Sequence, residues 1–360
     1  MSEPPVSDCS ARAAMGDMHR AHRAVAIWLW TVAALVFLMV IVGGATRLTE
    51  SGLSITEWKP LTGVIPPLNQ TQWLAEFENY KKIPQYSGLF PDMDLQGFKL
   101  IFFMEWGHRL LGRLIGAAMA LPLIYFWARG ALPCGIQPKL LGILALGGLQ
   151  GFVGWWMVKS GLADRVEVAQ ERLAIHLLLA AATFAALVWV AGSLTKRPPQ
   201  IASPKLRSLK WFAAATILLV LLQIGLGGLV AGLRAGRAFN TWPLIDGYLW
   251  PPFGQLTVLT PLWRNFLDNM LTVQFQHRMV AYALLALALI QAAHTSRVAP
   301  KSRAVKRARA VAGLAAAQVA IGIATLVLVV PLWAGLLHQA FAMVVLGMAV
   351  AHAQALAQAR

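Results

Sequence analysis

Eight apolar runs constrain this chain more than any other feature, because about twenty apolar residues are what a helix needs to cross roughly 30 Å of hydrocarbon. They cover residues 28–46, 100–127, 140–158, 173–194, 211–233, 271–293, 310–330 and 334–352. In lipid a segment must satisfy its own backbone N–H and C=O groups, so each run is expected to be a helix. Composition excludes the soluble alternative. Hydrophobic residues make up 58% of the chain and charged residues only 13%, too little polar surface to cover a water-exposed globule. The expected fold is an all-α polytopic membrane protein with eight transmembrane helices.

A net charge of +16 would suggest nucleic acid if the bases formed one patch on a soluble surface. They do not. They gather in the short connections after the second, fourth and sixth runs, including Arg129, Lys139, Lys205, Arg207, Arg303 and Arg307, where no acidic residue occurs. The opposite connections mix bases with Glu50, Glu57, Asp92, Glu167 and Asp246. Basic loops face the cytoplasm, so both termini are expected inside and the two long connections, 47–99 and 234–270, outside. The reading is therefore a lipid bilayer and no nucleic acid.

Residues 1–24 lack an apolar core and read as a cytoplasmic tail. Cys9 and Cys134 have no metal-ligand spacing, and both fall on the inner side, which argues against a structural disulfide. Trp58, Trp73, Trp242, Trp250 and Trp263 suit an aromatic belt at the headgroups.

The chain also repeats itself. GGATRLTESGLSITEWKPLTGVIPP, from Gly43, is echoed by GGLVAGLRAGRAFNTWPLIDGYLWPP, from Gly227. His108-Arg109 is answered by His277-Arg278, Gln150 and Gly154 by Gln318 and Gly322, and His176 by His338. Two tandem four-helix bundles are expected, related by pseudo-two-fold symmetry about the membrane normal. They would be residues 25–195 and 211–360, joined by a cytoplasmic linker at 196–210.

His108, His176, His277 and His338 sit near the outer starts of even-numbered runs, two per half. Polar side chains at that depth are costly unless they serve a site. Zinc would want three or four protein ligands, which neither half offers. Two imidazoles on separate helices suit the axial positions of one haem iron, with Arg109, Arg113 and Arg278 near its propionates. Two haem pockets follow, toward the periplasmic side. Taken singly, each histidine is better explained as hydrogen-bonding a neighbouring helix; four at repeated positions favour haem.

Glu105 lies one turn before His108, on the same face. It is expected either to pair with Arg109 or to act as an acid, base or charge stabiliser beside a bound haem. Its counterpart in the second half falls at Thr272, Val273 or Gln274, none of them a carboxylate. The first pocket therefore carries chemistry that the second lacks.

The stretch FKLIFFMEWGHRLLGR, the paired His-Arg sites and the duplicated four-helix plan resemble the heme A synthase family over nearly the whole chain. That resemblance implies an oxidoreductase converting the C8 methyl of heme O to the formyl group of heme A for cytochrome oxidase. It implies that His108 and His176 flank the substrate haem, that His277 and His338 ligate a haem b, and that Glu105 is the catalytic candidate. Partners would be heme O, heme A, a heme O synthase and an electron donor whose identity stays open. No cysteine pair occurs between residues 47 and 99, which resembles the cysteine-lacking members of Gram-negative bacteria and mitochondria and points to a bacterial inner membrane. The competing readings are a dihaem b-type electron-transfer protein and a haem transporter or chaperone.

Overall fold

The computed structural model describes residues 6–59, 62–163, 165–195 and 206–359, so Lys196, Arg197 and Lys205 of the expected linker lie outside the described residues. Eight long helices account for the eight runs: α1 (Val6–Leu48), α2 (Leu95–Ala128), α3 (Gln137–Gly161), α4 (Gln170–Thr195), α5 (Leu206–Gly232), α6 (Met270–Val298), α7 (Arg303–Val327) and α8 (Leu332–Ala357). No strand occurs among the described residues. Each of the eight contains a segment long and apolar enough to cross a membrane, and the chain is a multi-pass membrane protein.

The helices start where polar side chains can take up orphan N–H groups. Asp94 accepts from the Gly97 amide at 2.7 Å to cap α2, Asn269 caps α6 and Ser302 caps α7. Several ends differ from the sequence expectation: α2, α5 and α7 start five to seven residues earlier, and α6 and α8 run five residues further. The helix of α1 begins at Val6, well before its apolar run. The seventh helix stops at Val327, not residue 330, because Val329 and Val330 take left-handed backbone (φ 62° and 55°) and the Val330 amide turns back to the Thr325 carbonyl at 2.9 Å.

Helices α1, α4, α5 and α8 form the centre: α1 packs on α4 and α8, and α5 packs on α4 and α8. Their contact is the main apolar core, built from Leu29, Val36, Val40, Leu187, Val220, Ile224, Met343 and Leu346 among others. Helices α2, α3, α6 and α7 lie outside this group. The order of packing within each half is a ring, α1–α2–α3–α4 and α5–α6–α7–α8.

The two long connections cover one end of the bundle. The first folds over α2 as an aromatic cap in which Trp73, Phe77 and Tyr80 bury against Phe98 and Phe102. Trp73 is only 8% exposed, so it belongs to this cap and not to a headgroup belt, whereas Trp58, Trp242, Trp250 and Trp263 are exposed. Burial pushes the Tyr80 phenol well above its ordinary range, and the Glu105 carboxylate adds to the rise. It therefore stays protonated and donates to Gln85.

A square of charges locks the halves together at the same end. Arg47 bonds Glu50 at 2.9 Å and Glu167 at 2.6 Å, while Arg234 bonds Glu50 at 2.9 Å and also Glu167. Glu50 follows Gly43 by seven residues and Arg234 follows Gly227 by seven, so two repeat-equivalent positions of opposite charge pair with each other. Both have left-handed backbone (φ 57° and 53°), a conformation that costs an ordinary residue about 1 kcal/mol or more and persists where surrounding contacts hold it. Glu167→Gln leaves both arginines short of an anion and should lower stability by about 1–3 kcal/mol, read as a melting shift in detergent. An unchanged melting point would make the square incidental.

Candidate functional site

All four spanning histidines stand near the end covered by the long connections, half-buried in the bundle. Each ring fills the space of a missing side chain on the helix before it. A Cβ added to Gly43 would stand 3.1 Å from His108 Cε1, and one on Gly154 would stand 3.0 Å from His176 Cε1. The same approach is 3.3 Å at Gly227 and His277, and 2.8 Å at Gly322 and His338. Real Cβ contacts are seldom so short, so glycine is required at all four places if the rings are to stay where they are. In each half one imidazole stands at the seam of the first and second helices and the other at the seam of the third and fourth. The two rings therefore enter the bundle from opposite sides.

Three of the four rings also meet a glutamine. The Gln150 amide donates to the His176 carbonyl at 3.1 Å and lies 3.3 Å from its Nε2. Gln318 does the same to His338 (carbonyl 3.0 Å, Nδ1 3.2 Å), and Gln223 to His277 (carbonyl 3.1 Å, Nδ1 3.1 Å). Each glutamine lies four residues before the cradling glycine, so a Q-x-x-x-G pattern on α3, α5 and α7 was the signal available for these partners. In α1 the corresponding residue is Met39, and His108 has no glutamine. The Nδ1 atoms of His108 and His176 are buried without a partner.

A cavity of about 290 Å³ opens between His277 and His338, with Gln223, Gln318, Gly227 and Gly322 in its walls. Four cations line it as well: Arg47, Arg234, Arg237 and Arg278. A second, polar cavity of about 390 Å³ lies under the first long connection, where Lys59, Arg109 and Arg113 face Glu57 and Glu76. Among the described residues no three or more of His, Cys, Asp and Glu gather to hold a bare metal ion. Two opposed imidazoles, glycine cradles and an apolar wall studded with arginines fit a porphyrin whose iron takes two axial nitrogens and whose carboxylates seek cations.

Glu105 is 3% exposed and fully engaged. One oxygen accepts from Arg109 at 2.5 Å, and the other from Ser54 Oγ at 2.7 Å and the Ile55 amide at 2.8 Å. The ion pair expected between Glu105 and Arg109 is present. Arg109 also donates to the Ile55 carbonyl at 3.0 Å, so the pair fastens the first connection onto α2. Arg113 donates to the Lys59 carbonyl at 3.0 Å.

In the second half Arg278 spends its guanidinium on the Thr241 and Leu244 carbonyls, at 2.7 and 3.1 Å, and on Gln274 Oε1 at 3.0 Å. The counterpart of Glu105 is therefore Gln274, three residues before His277, and not Thr272, whose hydroxyl bonds the Leu256 carbonyl. Gln274 donates to the Ala235 and Phe239 carbonyls, where Glu105 accepts from Ser54 and Ile55. The polarity is reversed between the halves.

Residues 26–350 match the model of a family described as cytochrome oxidase assembly protein. A heme A synthase of Beijerinckia indica is 68% identical over 98% of this chain and 99% of that protein. Heme A synthases of Methylobacterium sp. (strain 4-46) and Azorhizobium caulinodans are 56% and 53% identical, over 92% and 93% of this chain and 91% and 94% of theirs.

Proposed function

The chain belongs to the cytochrome oxidase assembly protein family, and on that footing we propose that it is a heme A synthase, oxidising the C8 methyl of heme O in two successive steps to the formyl group of heme A. The observation that carries this reading is the paired imidazole cradle, built twice, with a carboxylate beside the first pair and an amide beside the second.

His108 and His176 hold the substrate porphyrin in the first half. Their Nδ1 atoms are buried and carry no bond from the protein. His277 and His338 hold a haem b in the second half, where the three ring contacts from Gln223 and Gln318 fix ring orientation, as supporting hydrogen bonds do for metal-ligating histidines. Haem b, when bound there, supplies one-electron redox chemistry. Of the arginines lining that cavity, Arg47 and Arg234 are already paired with Glu50 and Glu167 and Arg278 with backbone carbonyls, so Arg237 is the one placed to receive a carboxylate.

Glu105 lies one turn from His108. Three donors hold its carboxyl in place, so it does not reorganise when positive charge develops at the carbon being oxidised. Ser54 Oγ–H, bonded to Glu105 Oε2, holds the nearest exchangeable proton on the first connection. The bundle is read as two halves related about the membrane normal, residues 25–195 and 211–360, in a bacterial inner membrane with both termini cytoplasmic and both pockets toward the periplasm.

The test is to express the chain with a heme O synthase, purify it and identify the extracted haems by chromatography and mass. Heme O, its alcohol or heme A together with haem b is the expected result. Haem b alone, near two per chain, would mean an electron-transfer protein. A narrower check concerns the cradle: Gly322→Val puts a Cβ 2.8 Å from His338 Cε1 and forces the ring aside. Haem b content should fall about 10-fold or more, the range that disturbing a ligand's support costs. Full content in that variant would remove His338 as a ligand.

A further inference from the structure

The two rings of each pair stand at opposite seams, α1/α2 against α3/α4 and α5/α6 against α7/α8. A flat macrocycle between them presents its edges to the other two seams of its half. In the second half both of these are closed: α5 packs along α8, and α6 along α7. In the first half α1 packs along α4, but α2 and α3 meet only sparsely.

The side chains give the reason. Ala288 and Ala292 of α6 bury against Ala308, Val311, Ala312 and Ala315 of α7, and small residues let helices approach closely. Counting from the histidines and the cradling glycines, the matching residues of the first half are Met119, Leu123, Leu140, Ile143, Leu144 and Gly147. The buried Met119, Leu123, Leu140 and Ile143 join the main core and hold α2 and α3 apart, since interaxial distance follows contact residue size. Above this wedge α3 turns glycine outward. Gly147 lies two turns below Gly154 on the face that carries His176, with Gly151 between, and a Cβ on either would meet nothing within 4 Å. The residue matching Gly151 in α7 is Val319, which walls the second cavity. At the top of this trough His176 Nδ1 is buried and unpartnered.

We propose that the α2/α3 seam is a lateral entrance from the bilayer, through which the prenylated haem reaches His108 and His176 and along which its isoprenoid chain lies against Gly147 and Gly151. The aromatic cap ties α2 to α3 at one end, through Phe98 and Phe102 with Val158 and Leu162, and Leu132 and Ile136 close the other. The opening thus lies between them, at the depth of the lipid chains, where an apolar tail stays out of water. This rests on the heme A synthase reading. It explains why one pocket exchanges its haem and the other, closed at the matching seam, retains its own.

The experiment compares Gly147→Phe and Gly151→Phe with wild type, each purified after expression with a heme O synthase, by the content of every extracted haem per chain. Gly142→Phe, on another face of α3 and also facing open space, is the control. The expected result is heme O plus heme A lowered at least about 10-fold in the two trough variants, with haem b unchanged in all, and the control like wild type. Haem b at the wild-type level shows that the variants fold. Wild-type heme O and heme A in both trough variants would overturn the entrance, as would an equal loss in Gly142→Phe. A wild-type protein holding neither heme O nor heme A would overturn the synthase reading itself, and the entrance with it.

Discussion

Glu105→Gln should lower heme A yield by about 100-fold or more while the protein keeps its full complement of haem b. The magnitude is that of removing one preorganised charge or proton-transfer group from a water-excluded site. The substitution is nearly isosteric. Its amide oxygen can still accept from Ser54 and Ile55, but its NH2 then faces the Arg109 guanidinium, donor against donor. Part of the effect is therefore a loosened first connection, and a melting curve measures that part separately. Glu105→Asp keeps the charge and shifts it by one methylene, so it should recover some yield if charge matters and none if only the shape of the anchor does. Normal heme A in Glu105→Gln would take this residue out of the mechanism and leave it as a fastening for residues 54–57.

His338→Ala should cost nearly all haem b, a loss of more than about 10–100-fold in affinity, since even the loss of a group that merely supports a ligand costs that much. The variant removes one of two opposed imidazoles, and Gln318, whose amide now reaches the ring and the carbonyl of His338, keeps only the carbonyl. Heme O should then accumulate in the protein unconverted, because the first half is intact and the redox partner is missing. Absorbance spectra of the reduced protein, with extracted haems as a cross-check, read both effects. Full haem b would show that His277 and His338 do not share one iron, whereas equal loss of heme O and haem b would show that the halves do not load independently.

Much of this was legible in the residues. Apolar length located all eight helices, the His-Arg duplication found two of the rings, and the repeat of His176 as His338 found the other two. The spacing of Glu105 and Arg109 on one helical face gave their ion pair. Helix ends were less legible: nothing in the sequence ATLVLVV of 324–330 marks the stop, which comes from left-handed backbone at two valines. Trp73 looked like its neighbours in sequence and is buried by Phe98 and Phe102 instead. Spacing points to Gln274, three residues before His277 as Glu105 is before His108, and not to Thr272, and the Arg278 bond to Gln274 agrees.

The sequence by itself determined which segments enter the bilayer and which side chains are out of place there, because a low-dielectric solvent forces every run into a helix and makes each buried polar group conspicuous. Only the tertiary structure decided how those groups are spent. Whether Arg47 meets Glu167, whether an imidazole finds a glycine to lie against, and whether a seam is closed by alanines or wedged by leucines depend on side chains far apart in the chain. Their volumes and charges add up only when the helices are packed, and no local pattern records that sum.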